Sequence, residues 1–378
     1  LNQAIGNINN PLLDLPLNNS LAMKQGVGSV TYTCATTSTY VDRYGTLKYA
    51  AIDEPRFEKE GLLIEGASTN LVLYSSQIDT DLGNWSLGSN TQKNGTATAP
   101  DGTATAYIYE SITATGQTFV KQTVAGLTIG VEYSFSCWLR SDNPELVIGG
   151  QFRTDATVRE NLVLGDIITT KWKRHEVTFT ADGTSQVVFI GVDWAVGGII
   201  EAWGAQVEAL PFASSYIPTT TVAVTRAANV CEVTYENNGM DATQESTFMG
   251  DFTVDNIGVP TPNDRGLMGI KNEQYRYIRF ALSGFGLGSS RIGGASNMGV
   301  YTSGQTFRWA SVESGSSAQG YVNGALAGSI ATQTVTVTGT RALVLGNTGH
   351  SSSSHLFGHV KNFRIYDRAL TASEVNMA

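Results

Sequence analysis

Trp85, Trp194, Tyr275, Tyr277 and Arg279 are the side chains best placed by sequence to hold a ligand. An exposed ring can cover the apolar face of a pyranose and withdraw that area from water. Of the six tryptophans, Trp138, Trp203 and Trp309 lie inside strand-like patterns and Trp172 opens one. Trp85, in Asn84-Trp85-Ser86, and Trp194, in Asp193-Trp194-Ala195, stand instead in loop-like surroundings. Tyr275, Tyr277 and Arg279 alternate, which sets them on one face of a strand where they could stack on and hydrogen-bond a sugar. Each has a plainer reading: packing beneath a loop for the tryptophans, packing between subunits for the tyrosine face.

Catalysis finds less support. Cleaving a glycosidic bond needs two carboxyl groups about 5 to 10 Å apart. The sequence holds no Glu-x-Asp-x-Glu alternation that would aim acids from one strand into a cleft. Glu54, Glu58 and Glu60 come closest, but Pro55 interrupts them and the segment reads as a sheet edge or loop. His350, His355 and His359 surround Ser351-Ser352-Ser353-Ser354. A His-rich tract can bind metal, yet a serine run gives the ligands no rigid frame, so the favoured reading is a solvated loop, with His359 half-buried at a strand start. Such histidines could make an interface pH-sensitive. Asp79-Thr80-Asp81-Leu82-Gly83-Asn84 fails as a calcium loop because no Glu closes a twelve-residue frame. Gly284, Gly286 and Gly288 lack the strand-to-helix context of a phosphate-binding turn. We therefore assign no catalytic residue, no metal ligand and no cofactor.

Composition sets wider limits. The chain has 378 residues, enough for two domains and a short extra segment. Only 15% of residues are charged, while 41 are glycine, as expected where strands and turns dominate. A net charge of −9 argues against nucleic acid as partner. Cys34, Cys137 and Cys231 are too few and too widely spaced for a disulfide framework or a zinc pattern, which suggests synthesis in a reducing cytosol. No apolar run reaches membrane-spanning length and no signal peptide opens the chain, so no membrane insertion is expected. Because it starts at Leu1, the chain reads as a piece of a longer protein.

The elements that must position these residues read as strands. In Val131-Glu132-Tyr133-Ser134-Phe135-Ser136-Cys137-Trp138-Leu139, the odd positions form one apolar face. Central strands are also expected over residues 186–192 and 199–207, with turns at Asp101-Gly102, Asp182-Gly183 and Gly197-Gly198. Asn323-Gly324 between apolar alternations predicts a type I′ hairpin. The one helix signal is the capping box Thr371-Ala372-Ser373-Glu374. Leu1 to Asn19, rich in Asn and Leu and broken by Pro11 and Pro16, reads as an extended leader.

Two stretches resemble known families. The set Gly320–Gly328, Arg341–Asn347 and Val360–Leu370 resembles the C-terminal half of a laminin-G-like, concanavalin A-type lectin domain. The ordered set EPRFE, GLLIEGASTNLVLYS, NW, APDGTATA and WGAQVEALPFASSYIPTTTVAVTRAA is similar to a domain of bacteriophage tail-fibre proteins, whose middle segment looks like a jelly-roll carbohydrate-binding module. Together they imply an all-β chain of two tandem antiparallel β-sandwiches. The expected divisions are an extended leader or stalk end over 1–39, a jelly roll over 40–230 and a laminin-G-like lectin domain over 231–378. The implied role is non-enzymatic recognition of a host surface glycan, capsule or lipopolysaccharide, by the receptor-binding end of a tail fibre. The implied form is a homotrimer in the virion tail, made in the host bacterial cytoplasm. A polysaccharide depolymerase and a purely structural tail component are the alternatives. The resemblance also leaves room for a structural calcium, with no residue set picked out for it.

Overall fold

The computed structural model describes residues 10–113, 117–147, 149–234, 238, 245–255, 265–273, 277–281, 286–289, 304–314, 317–331, 337–349 and 354–377. The protein is all-β, with one short α-helix, Ala372–Met377, among the described residues. Two compact units divide it.

One unit comprises residues 46–48 and 68–226. Its six-stranded sheet runs in the order Val158–Arg159, Lys173–Thr180, Glu132–Arg140, Ile199–Glu208, Ala106–Ser111, Thr91–Ala97. Its five-stranded sheet runs Leu162–Val163, Gln151–Thr154, Ser185–Val192, Val120–Ala125, Ser86–Leu87. The Glu132–Arg140 strand shows why the layers close. Tyr133, Phe135, Cys137 and Leu139 are all buried in one core, where the Phe135 ring stacks on Phe152 at 4.4 Å between centroids. Val131, expected on that face, precedes the strand and is 36% exposed. The opposite face is buried too. Trp138 meets Trp203 edge-on at 5.5 Å and Tyr216 at 5.4 Å, and the Ser134 hydroxyl donates to the Phe212 carbonyl.

The other unit comprises residues 10–45, 49–67 and the described part of 227–378. Its larger sheet runs Ala325–Ala331, Ser317–Val322, Thr306–Ser314, Ser246–Val254, Gly358–Tyr366, Gly61–Ile64, Phe57–Glu58, with Leu13–Leu15 also paired to Gly358–Tyr366. Its second sheet runs Val30–Thr33, Val230–Thr234, Val337–Leu345, Arg265–Glu273, Tyr277–Ala281, Gly286–Ser289. Phe248, Phe252, Phe307, Trp309, Val360 and Phe363 from the larger sheet pack with Val233, Ile270, Leu343 and Leu345 from the second. Asn323 (φ 48°) and Gly324 (φ 80°) turn the predicted hairpin, both left-handed as a type I′ turn requires. The outward side chains Met249, Ala310, Val312 and Tyr366 form a small apolar cluster covered by Leu370 and Val375. The capping box forms: the Thr371 amide donates to Glu374 at 2.8 Å and the Glu374 amide to the Thr371 hydroxyl at 3.4 Å. Arg368 beside it holds the Glu374 carboxyl down at about 2, against the opposing effect of its burial.

The boundaries differ from those expected. The 1–39 segment, read as an extended leader or stalk end, pairs over its described part into the C-terminal unit. Leu13–Leu15 pairs with Phe363–Ile365 and Val30–Thr33 with Val230–Val233. Residues 40–45 and 49–67, assigned from sequence to the jelly roll, belong to the C-terminal unit, and the second boundary falls at 226/227 rather than 230/231. The reason is an unpaired edge. Gly358–Tyr366 has Ser246–Val254 on one side only, and Leu13, Leu15, Leu62 and Ile64, all 0% exposed, complete its other side.

Phe135→Ala removes the ring stacked on Phe152. Calorimetry is expected to show the transition of the 68–226 unit losing about 3 to 5 kcal/mol, with the transition of the other unit unmoved.

Candidate functional site

Trp85 and Trp194 are each 3% exposed and belong to the core of the 68–226 unit, so neither presents a ring face to a sugar. That overturns the ligand reading of both and leaves the plainer one, packing beneath a loop. The loop around Trp194 folds inward because Gly191 and Gly198 make room: an added Cβ would lie 2.7 and 2.8 Å from the indole. The indole N–H donates to the Gly198 carbonyl at 2.8 Å. The nearby Gly191 and Gly197-Gly198 are the sequence signal for this burial. Tyr275 lies outside the described residues. Tyr277 and Arg279 fall on the Tyr277–Ala281 strand of the second sheet, and their side chains lie outside the described part. The largest exposed rings among the described residues are Tyr44, at 85%, and Tyr49, at 51%.

The candidate site lies elsewhere, on the outward face of the larger sheet of the C-terminal unit. Alternation sends Phe248, Phe252 and Val254 into the core and leaves Asp251 and Thr253 outward. Register aligns Lys361, Asp251 and Arg308 across three adjacent strands, and His359, Thr253 and Thr306 in the next outward row. The first row lines a cavity of about 430 Å³, closed by Asn323 and Gly324 from the hairpin turn and Val375 and Asn376 from the C-terminal helix. Its polar groups are held in place. Arg308 Nε donates to Asp251 Oδ1 at 2.8 Å, and Asn362 Nδ2 donates to Asp251 Oδ2 at 2.7 Å. The Asn323 amide oxygen accepts the Arg308 backbone N–H at 2.9 Å. Asp251, by hydrogen bonding first and charge second, raises the Arg308 guanidinium above its ordinary value. Lys361 has no ion pair among the described residues. The cavity thus combines fixed donors and acceptors with one carboxylate and two cations.

The second row ends in an acid–histidine cluster. His359, 5% exposed, places Nε2 2.9 Å from Glu58 Oε2. Glu58 is the last residue of an edge strand, and Glu60 stands in the two-residue turn back to Gly61–Ile64. One donor atom from each of Glu58, Glu60 and His359 lies within 4.8 Å of the others. The edge reading of the Glu54–Glu60 segment therefore holds at Phe57–Glu58, while the solvated-loop reading fails for His355, and His359 is buried more deeply than the half-buried strand start expected of it. His359 is inside a strand, and His355 is 8% exposed in a bridge to Asn347; His350 lies outside the described residues. Burial alone would lower the His359 pKa, but the hydrogen bond to Glu58 and the charges of Glu58, Asp255 and Glu60 raise it. Burial, countered by His359 and reinforced by Glu65, Glu58 and Glu60, pushes the Asp255 carboxyl up to about 6.

A family model described as the concanavalin A-like lectin/glucanases superfamily matches residues 271–376. Most of the cavity lining, from Thr306 to Asn376, falls within the matched residues. Among solved structures, Trypanosoma rangeli sialidase is similar at 15% identity and TM-score 0.30, over 39% of this chain and 25% of that one. The chain therefore spans about a quarter of that sialidase. Domain 4 of an extracellular arabinanase from Geobacillus stearothermophilus, in complex with arabinotriose, matches at 15% and 0.32, over 44% of this chain and 81% of that domain. The CBM40 of Ruminococcus gnavus IT-sialidase, bound to α2,3 sialyllactose, matches at 13% and 0.28, over 36% and 83%. No curated protein matches the chain.

Both Asp255 and His359 hold folded-state pKa values above their ordinary 3.8 and 6.5. Their stabilising contribution is full below those unfolded values and is lost as pH rises through the folded ones. Urea melts should therefore show stability falling between pH 4 and pH 6, the Asp255 window. Asp255→Asn should remove a decline of about 1 to 3 kcal/mol from that range.

Proposed function

We propose that the chain is a non-enzymatic glycan-binding fragment whose lectin-like unit takes an acidic surface polysaccharide into the Asp251–Arg308–Lys361 cavity. One observation carries the reading. On a chain of net charge −9, this cavity sets two cations against one carboxylate, beside the amides Asn323 and Asn376. Sugar hydroxyls both donate and accept, so a site for them needs fixed groups of both kinds. Arg308 and Asn323 provide donors and acceptors tied to the scaffold, and Lys361 supplies charge for a sugar carboxylate. The match of residues 271–376 to the concanavalin A-like lectin/glucanases superfamily supports a carbohydrate as the ligand.

The tail-fibre resemblance of residues 40–230 supports a setting for this binding on a bacteriophage tail, as host attachment. A homotrimer suits it. A weak sugar site repeated three times gains affinity, because later contacts form at high effective concentration.

The fragment is expected to bind uronic- or sialic-acid-containing polysaccharide on a glycan array in preference to neutral glycans. Lys361→Ala, a half-exposed change, should weaken that binding about tenfold, with circular dichroism unchanged. Incubation with purified capsule should release no new reducing ends. Release would make the chain a depolymerase, and failure to bind any glycan or cell would leave it a structural tail component.

A further inference from the structure

We propose that Glu58, Glu60 and His359 form a binding site for one divalent first-row transition-metal ion. The set joins a nearly buried imidazole to two carboxylates whose donor atoms already lie within 4.8 Å of each other. Imidazole with carboxylate suits Zn²⁺ or Mn²⁺, whereas Ca²⁺ prefers a larger shell made wholly of oxygens. Water would complete the coordination.

The frame holds these groups without any metal. Glu58 Oε1 accepts the Val41 backbone N–H at 2.7 Å, which leaves Oε2 turned to His359. That is the outer-shell hydrogen bond that orients a metal-binding carboxylate. Glu60 is carried by the turn preceding Gly61, whose φ is +128°. A Cβ on Gly61 would lie 2.6 Å from the Val360 carbonyl oxygen, so glycine alone lets the turn close onto the His359 strand.

Charge points the same way. Glu58, Glu60 and Asp255 all act on one imidazole. Neither Glu58 nor Glu60 is ion-paired to a lysine or arginine among the described residues. A divalent ion would neutralise this surplus where a single imidazolium cannot.

The test is calorimetric titration of the chelator-treated full chain with ZnCl₂, MnCl₂ and CaCl₂ separately. We expect one Zn²⁺ per chain, bound at least about tenfold tighter than Ca²⁺, with a raised thermal midpoint and proton release that grows at lower pH. Glu60→Gln, in a half-buried turn, should weaken Zn²⁺ at least about tenfold while preserving the circular dichroism spectrum; His359→Gln should abolish it; Glu54→Gln, outside the cluster, should leave it unchanged. Absence of Zn²⁺ heat and midpoint shift would overturn the proposal. So would Ca²⁺ binding as tightly as Zn²⁺, or undiminished binding by Glu60→Gln and His359→Gln. Lys361→Ala should retain the metal, so the outcome is independent of glycan binding.

Discussion

The buried Arg56–Glu65 ion pair is the constraint on which the C-terminal unit depends. Arg56 is 0% exposed and Glu65 4%. A charge so buried is tolerable only when paired and hydrogen-bonded. Arg56 Nη1 donates to Glu65 Oε2 at 2.7 Å and to the Thr39 carbonyl at 2.9 Å, while Nη2 donates to Asn229 Oδ1 at 2.6 Å. Asn229 in turn receives the Glu65 backbone N–H and donates its own to the Glu65 carbonyl. Three distant stretches, near residues 39, 56–65 and 229, are thereby locked together. Removing one partner would strand a charge in the interior, so the arrangement acts as a registration device for the N-terminal strands. Phe57–Glu58 follows directly on Arg56, and Gly61–Ile64 directly precedes Glu65. The clasp therefore fixes the hairpin that brings Glu58 and Glu60 to His359.

From that edge, period-two alternation carries the consequence across the sheet. The same rule that buries Val360, Phe252 and Phe307 turns Lys361, Asp251 and Arg308 outward in one row and His359, Thr253 and Thr306 in the next. The acid–histidine cluster and the polar cavity are thus neighbouring rows of one face. The C-terminal helix limits how far the face stays polar. Val375 joins the apolar cluster over Met249, Ala310 and Val312, while Asn376 lines the cavity beside it. Capping matters here beyond stability, because the Thr371–Glu374 box sets where the helix starts and so where Asn376 sits.

Local signals are legible in the sequence and long-range ones are not. The all-β class, the Glu132–Arg140 alternation, the Asn323-Gly324 turn and the Thr371–Glu374 cap each depend on residues within a few positions of one another, and the structure carries them all. The cluster joins Glu58 to His359, 301 residues apart, so each half looks ordinary alone: an acidic edge broken by proline, and a histidine beside a serine run. The reading of residues 1–39 as a leader or stalk end outside the sandwiches gives way for the same reason. Leu13 and Leu15 have too short a pattern to announce a strand, and their partners, Ile365 and Phe363, lie near the other end of the chain. Polar neighbours make Trp85 and Trp194 look exposed, yet what decides burial is the space around the ring, which Gly191 and Gly198 supply for Trp194.

The charge distribution limits what the proposed glycan site on the outward face can take. A chain of net charge −9 repels a polyanion, and salt screens that repulsion beyond about 8 Å at physiological strength. Recognition of an acidic polymer on such a surface must then come from contacts shorter than the screening length. The cavity fits that condition. Its carboxylate is already engaged by Arg308 and Asn362, so Asp251 offers an incoming carboxylate little free repulsion, while Lys361 remains without an ion pair among the described residues. A neutral sugar would meet the same amides but leave that ammonium with water alone. The proposed preference for acidic over neutral glycan therefore rests on one side chain, Lys361, positioned by the strand that the N-terminal segment completes.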